Sequence, residues 1–368
     1  MSSNSVVTKI GIPPNPNAAI TRLKGAFGAS RIARISLVVL ALLYLSALLA
    51  SWVTPYGSDD ESRPHSWAPP SVVHWKLPSG GWRPYVYPVS FTFDEDARRV
   101  YVEDTSRAVP IRLFVNGRLF GLDSAEAASP RPGAPAARLY LLGADARGRD
   151  LLSRLLYGGR VSLSIGIVGV SVSTLIALVV GGLAGFFGGW VDRFLMRVCE
   201  IVMLVPAFYL LMLLRASLPL DWDSRVVYLS IVLILSFIGW AGLARVIRGL
   251  VQTLRSADYI VSARALGVRP LTILVRHALP QTFGFLAIQA TLSIPGYVIA
   301  ESGLSLLGLG IQDPQTSWGN LLQEAMSIAE IRLHPWSLIP GLFLFAAVLS
   351  YNLAGDVLRD ALDPRGPR

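Results

Sequence analysis

The 368-residue chain is poor in charge, lysine, histidine and cysteine. Charged residues make up 15% of it, against roughly 25% in ordinary soluble domains. With a mean hydropathy of +0.51 and 52% hydrophobic residues, that deficit excludes a disordered chain and argues against a soluble enzyme. A single cysteine, Cys199, supports neither an intrachain disulfide nor a zinc cluster. The four histidines (His65, His74, His277, His334) are scattered, which argues against a histidine-built metal site. The three lysines, Lys9, Lys24 and Lys76, do not follow a glycine. A P-loop needs Gly-Lys-Ser/Thr so that the lysine reaches the phosphates, so this chain carries no such ATPase. No nucleophile–base pair or carboxylate cluster marks a catalytic centre. The net charge of +9 is distributed in a way that points to a membrane rather than to nucleic acid.

What the chain does have is long apolar runs. A bilayer core about 30 Å thick requires about 20 apolar residues in a helix. Ile35–Val53, Val161–Val191, Val226–Ala244, Gln281–Ile311 and Trp336–Gly355 meet that requirement. Phe194–Arg215 is weaker, with Arg197 and Glu200 near its start and Pro206 inside, but counting it gives six spans. Arginine asymmetry sets the sidedness. The first 34 residues carry five basic residues and no acid, and 245–280 carries six arginines against Asp258. Between the last two spans acids prevail. Both termini are therefore expected in the cytoplasm, with 54–150 outside. The long polar leader makes the first span an uncleaved anchor rather than a signal peptide.

Residues 54–150 balance twelve basic against twelve acidic side chains. Ile111–Val115, then Asn116-Gly117 and Arg118-Leu-Phe, form a hairpin signal, because Asn-Gly suits a type I′ turn. Pro84–Phe93, Arg99–Glu103 and Arg138–Leu142 read as further strands, and Ala128–Ala137 as a linker. The expected organisation is a cytoplasmic tail (1–34), a first span (35–53), an extracytoplasmic β-rich domain (54–150), a five-helix core (151–356) and a cytoplasmic tail (357–368). The fold class is thus an all-α polytopic membrane protein of six transmembrane helices with a small β-rich insertion.

Within 245–280, Ser256 can cap a helix, Gly267 can end it in the left-handed conformation and Pro270 can open a second. Tyr259, Ala263 and Leu266 are placed on one face, with Ser262 and Ala263 small enough for close approach by a partner. Periodicity alone also fits a solvated loop with two incidental helices. Ala263-Arg264-Ala265-Leu266-Gly267, nine residues, then His277-Ala-Leu279-Pro280 resembles the cytoplasmic coupling signature of ABC importer permeases. Gly143–Gly158, Gly181–Arg197, and Glu301–Gly310 with Trp318-Gly319 are similar to the dipeptide/oligopeptide/nickel branch of that family. Val261 stands where the pattern has glutamate, with Asp258 one turn earlier.

The resemblance implies a permease subunit of a bacterial or archaeal inner-membrane importer, with no bond chemistry and no cofactor of its own. Its implied partners are ATP-binding subunits, a second permease and an extracytoplasmic substrate-binding protein. The coupling loop would comprise Asp258, Tyr259, Ala263, Arg264, Ala265, Leu266, Gly267, His277, Leu279 and Pro280. The rival is a self-contained secondary transporter, which needs intramembrane ionisable groups. Glu301, deep in an apolar run, is the candidate for that. It reads either as a translocation or subunit-contact residue or as a structural acid. Gly181, Gly185 and Gly189 repeat every four residues, as helix packing in lipid favours. Arg197 and Glu200 read as an ion pair, and Trp52, Trp190 and Trp336 as interfacial anchors.

Overall fold

The computed structural model describes residues 28, 30–76, 81–95, 98–115, 117–122, 127, 136–219 and 222–362. Among these residues, five helices are long and apolar enough to cross a membrane. They are α1 (Arg31–Leu48), α3 (Leu151–Phe187), α6 (Ser224–Arg255), α9 (Phe283–Leu306, entered through turns from Pro270) and α10 (Ile339–Leu362). The short α2 (Ala50–Val53) extends α1, and Val53 N–H still donates to Leu49 O.

The weak sixth span is not one straight helix. It consists of α4 (Gly189–Leu204) and α5 (Ala207–Ala216), bent by 83°. Pro206 lacks the N–H that would continue the ladder, and it pushes Val205 to extended backbone at φ −84°, ψ 126°. Proline inside the run therefore breaks the helix rather than being absorbed by it.

Two compact units divide the chain: 163–301 with the described parts of 1–41 and 345–368, and 42–162 with 302–344. The first is helical. Its core gathers Ala177, Cys199, Trp240, Ala244, Ile247 and Val251 with Ile260 and Ile273 from the short helices after α6.

Among the described residues of the second unit, six antiparallel strands follow α2: β1 (His74–Lys76), β2 (Trp82–Val86), β3 (Val89–Phe93), β4 (Arg99–Glu103), β5 (Val109–Val115) and β6 (Arg118–Leu122). One sheet has the order β1-β2-β5-β6, and β3-β4 form a separate hairpin. Pairing of Leu113 with Phe120 and Val115 with Arg118 sets the β5–β6 hairpin register, and Gly117 takes φ +75° in its turn. Asn116 lies outside the described residues, as do 128–135 of the linker, 1–27 and 363–368.

Two strand expectations change. Pro84–Phe93 is interrupted at Pro88, so two strands replace one. Arg138–Leu142 is irregular, because side chains elsewhere take its donors. Leu139 N–H donates to the Tyr56 hydroxyl (2.8 Å) and Tyr140 N–H to Ser71 Oγ (2.9 Å).

Candidate coupling and transmembrane sites

The coupling segment is a pair of short helices against the first unit's core: α7 (Asp258–Ala265) and α8 (Pro270–Ile273). Gly267 separates them at φ +77°, and the Gly267 and Val268 N–H groups donate back to Arg264 O and Ala263 O. A residue with a Cβ is strained in that backbone region. Pro270 opens α8, and a π-type turn over Leu274–Ala278 leads to a 3₁₀ turn over Leu279–Thr282. Ser256 does not cap α7. It terminates α6, its hydroxyl donating to Thr253 O, and Ala257 occupies the cap position without a side-chain bond.

The faces of α7 differ from the expected ones. Ile260 is fully buried, and Tyr259 and Ala263 pack beside it against the chain's own core. Asp258, Val261, Ser262, Arg264, Ala265 and Leu266 are exposed, Leu266 at 83%. Tyr259 and Ala263 thus hold the helix down, and the surface left for a partner is the opposite one. The i, i+4 grouping of Tyr259 and Ala263 is real, but Leu266 falls beyond the helix end. Arg264 lies over the Phe186 ring at 5.7 Å. Leu279 packs against the same core, Pro280 is exposed and His277 is half-buried.

The glycine stripe also divides. A Cβ on Gly181 would stand 2.4 Å from Ala244 O, and one on Gly185 2.6 Å from Arg248 O, so α3 and α6 meet backbone to backbone there. Gly189 has open space and φ +57°. It lies past the end of α3, where it turns the chain into α4 rather than packing a helix. Beyond these glycines, the Arg248 guanidinium forks onto both Asp192 oxygens, joining α4 to α6. Arg197 pairs with Glu200 at 2.9 Å on an exposed face.

Glu301 is fully buried within α9. It lines neither of two notable cavities. One, of about 250 Å³ within the first unit, is bordered by Ser173, Thr174, Gln289, Ser293 and Tyr297, polar side chains carried on membrane-crossing helices.

The other, of about 650 Å³ in the second unit, borders a charge cluster that sequence reasoning missed. Arg149 and Arg154, 3% and 1% exposed, are surrounded by Asp145, Asp313 and Glu324. Arg149 Nε donates to Asp145 Oδ2 (2.6 Å) and Nη1 to Asp313 Oδ1 (2.8 Å). Arg154 Nη1 is shared between Asp145 and Glu324 Oε1 (2.6 Å). Burial pushes the Glu324 carboxyl up, against the pull of Arg154 and Arg149. Arg147 Nη2 also reaches Asp313 Oδ2 (3.3 Å), so three arginines face three carboxylates and the cluster clamps the start of α3 to the segment after α9 rather than offering a free charge. The signal was present as Asp145-x₃-Arg149-x₄-Arg154, but its acidic partners lie more than 150 residues away in sequence.

Residues 177–366, over half the chain, match the family described as the binding-protein-dependent transport system inner membrane component. The chain belongs to that family. In this permease, residues 26–70 also match the N-terminal TM domain of oligopeptide transport permease C. An oligopeptide transport system permease protein of Haemophilus influenzae is 38% identical over 227 residues, covering 61% of this chain and 70% of the relative. A glutathione transport system permease protein of Pectobacterium atrosepticum is 40% identical over 226 residues (61% and 73%). A dipeptide transport system permease protein of Bacillus subtilis is 34% identical over 227 residues (61% and 69%). Among solved structures, an inward-facing methionine ABC transporter aligns at TM-score 0.42 with 20% identity, over 56% of this chain and 95% of that chain.

The permease is therefore a multi-pass inner-membrane subunit of an ABC importer, which works with ATP-binding subunits and a substrate-binding protein. It is a transport component, not an enzyme, and the self-contained secondary transporter gives way to this reading. The two family matches leave 71–176 between them, and that stretch contains the six described strands.

Proposed function

We propose that this subunit forms half of a translocation pathway, paired with a second permease, for peptides or similar small solutes. In this reading the exposed face of α7, Asp258, Val261, Ser262 and Ala265, with Leu266 just past its end, receives the motion of the ATP-binding subunits. The observation that carries it is the construction of α7. One side is anchored by Ile260, Tyr259 and Ala263, the C-terminal end is fixed by Gly267, and the opposite side stands free of the chain. A rigidly backed but uncovered helix can pass a push from a partner into the core. Peptide cargo is supported by the names of three relatives.

Sidedness belongs to the same proposal. With 245–280 and both termini in the cytoplasm and 54–150 outside, α4 and α5 must together cross the bilayer once. The organisation into tail, first span, β-rich region and five-helix core follows that topology. Glu301 has a place in it as an acid buried within the translocation or subunit-contact helix α9. The polar lining of the 250 Å³ cavity, Gln289 and Ser293 above all, is the better candidate for a surface that solutes touch, because Glu301 is closed off from solvent.

The test is uptake of labelled di- to hexapeptides by the assembled importer in proteoliposomes. Uptake that needs both ATP inside and binding protein outside supports the reading. Uptake that proceeds without the ATP-binding subunits contradicts it.

A further inference from the structure

The corner of the β5–β6 hairpin stands out from the rest of the strand region. Leu113 and Phe114 there are 69% and 71% exposed, and Arg112 before them is exposed as well, so both faces of the strand end are open. Phe114 has φ +57°, left-handed backbone that a bulky residue adopts only under constraint. Two adjacent large apolar side chains on a strained corner are a poor surface to show to water.

The neighbouring element says what covers them. Arg118 Nη1 donates to Thr54 O at 3.1 Å, which ties the first residue of β6 to the residue that ends α2. The Trp52 and Phe114 rings lie 6.5 Å apart. Trp52 in turn is the last member of an exposed stripe, Leu42, Leu45, Leu49 and Trp52, spaced three, four and three residues along one helical face. That stripe belongs to the first membrane-crossing helix and its extension. Tryptophan at the end of such a stripe sits at the level of the lipid headgroups.

We propose that Leu113 and Phe114 enter the interfacial layer of the bilayer where the first span leaves it, so that the hairpin corner is an in-plane lipid anchor for the strand region. The lipid-facing surface would then run without a break from α1 through Trp52 onto Phe114. An apolar corner next to an interfacial aromatic is the composition of surface-lying membrane anchors, and here the protein's own span supplies the bilayer. The inference needs the membrane reading of α1 but not the peptide cargo or the direction of insertion. It holds for whichever leaflet that end of α1 meets.

The experiment is spin-label accessibility in the full-length protein in phospholipid nanodiscs, in a Cys199→Ala background. Phe114→Cys and Leu113→Cys are labelled one at a time. Leu42→Cys serves as the lipid reference and Asp59→Cys as the water reference. Labels at 113 and 114 are expected to collide with oxygen several-fold more than with a water-soluble nickel chelate, as at 42. A nickel-dominated, Asp59-like response at both positions would overturn the proposal. So would protection from both relaxers, which would mean that protein, not lipid, covers the corner. Two separate positions keep the outcome readable if one substitution disturbs the hairpin.

Discussion

Two regions of this permease are held together in opposite ways. Where α3 crosses α6, the contact is made by what is missing. Gly181 and Gly185 have no Cβ, and the Ala244 and Arg248 carbonyls occupy that space. In the second unit, around 136–154, the contact is made by polar partners. The Tyr56 and Ser71 side chains hold the backbone of 139–140, and Arg149 and Arg154 sit among three carboxylates. The first arrangement suits lipid, where close packing replaces hydrophobic gain. The second suits a loop region with little apolar core, here Ala68, Tyr140 and Ala144 with Tyr101 against them. Helix packing tolerates no added atoms, and the polar lock tolerates no missing ones.

Substitutions that exchange these tolerances should have the largest effects. Gly185→Leu places a side chain into the α6 backbone and is expected to abolish recovery of monodisperse protein. The comparator is Gly189→Ala, which meets open space and costs only the left-handed strain, about 1–2 kcal/mol. Equal yields for the two would remove the close-contact account of α3 and α6. Next in size, Arg154→Ala leaves Asp145 and Glu324 short of a buried cation and should cost about 3–5 kcal/mol in thermal or denaturant unfolding. Arg197→Ala, which breaks only the exposed pair with Glu200, should cost under about 1 kcal/mol.

A pH experiment sharpens the polar side of the comparison. Asp150 is fully buried ahead of α3, and desolvation pushes its carboxyl up to about 6, although Ser153 N–H and hydroxyl donate to it. An acid with a raised folded pKa binds its proton more tightly when folded. Its cost is present in full above about pH 6 and fades as pH falls toward 4. His65 opposes this. Burial lowers it to about 4, so acidification below its unfolded pKa of 6.5 favours the unfolded chain. The expected readout is therefore the difference between wild type and Asp150→Asn. The variant should be the more stable at pH 7, by up to about 3 kcal/mol, and lose that advantage near pH 4. A difference that does not change between pH 7 and 4 would show that Asp150 does not titrate in this range.

The same contrast explains what the sequence displays. Hydropathy located five crossings, since apolar length is written locally, and Gly267 and Pro270 were legible because backbone freedom is a property of one residue. Pro206 was visible too, but its effect depended on whether neighbours could re-satisfy the freed carbonyls, and the chain bends by 83° instead. The orientation of α7 was misjudged for a related reason. Eight residues place Tyr259 and Ala263 together but do not say which side the rest of the chain will cover. The Arg149/Arg154 cluster was the least legible, since two of its three acids, Asp313 and Glu324, are supplied from the segment after α9.

The uncovered side of α7 is the surface on which the ATP-binding subunits are proposed to act, and substitutions there separate coupling from folding. Wild type, Leu266→Asp, Ala265→Arg and Ala263→Arg are each co-expressed with the ATP-binding subunits and the proposed second permease. Retention of the ATP-binding subunits through purification and binding-protein-stimulated ATP hydrolysis are then compared. Leu266→Asp and Ala265→Arg are expected to leave the permease folded and membrane-inserted while lowering retention or stimulated turnover about tenfold. Ala263→Arg should instead lower the yield of the permease itself, because its side chain points into the core. Wild-type retention and stimulation in both exposed-face variants would contradict the account, and would move the coupling surface elsewhere on the subunit.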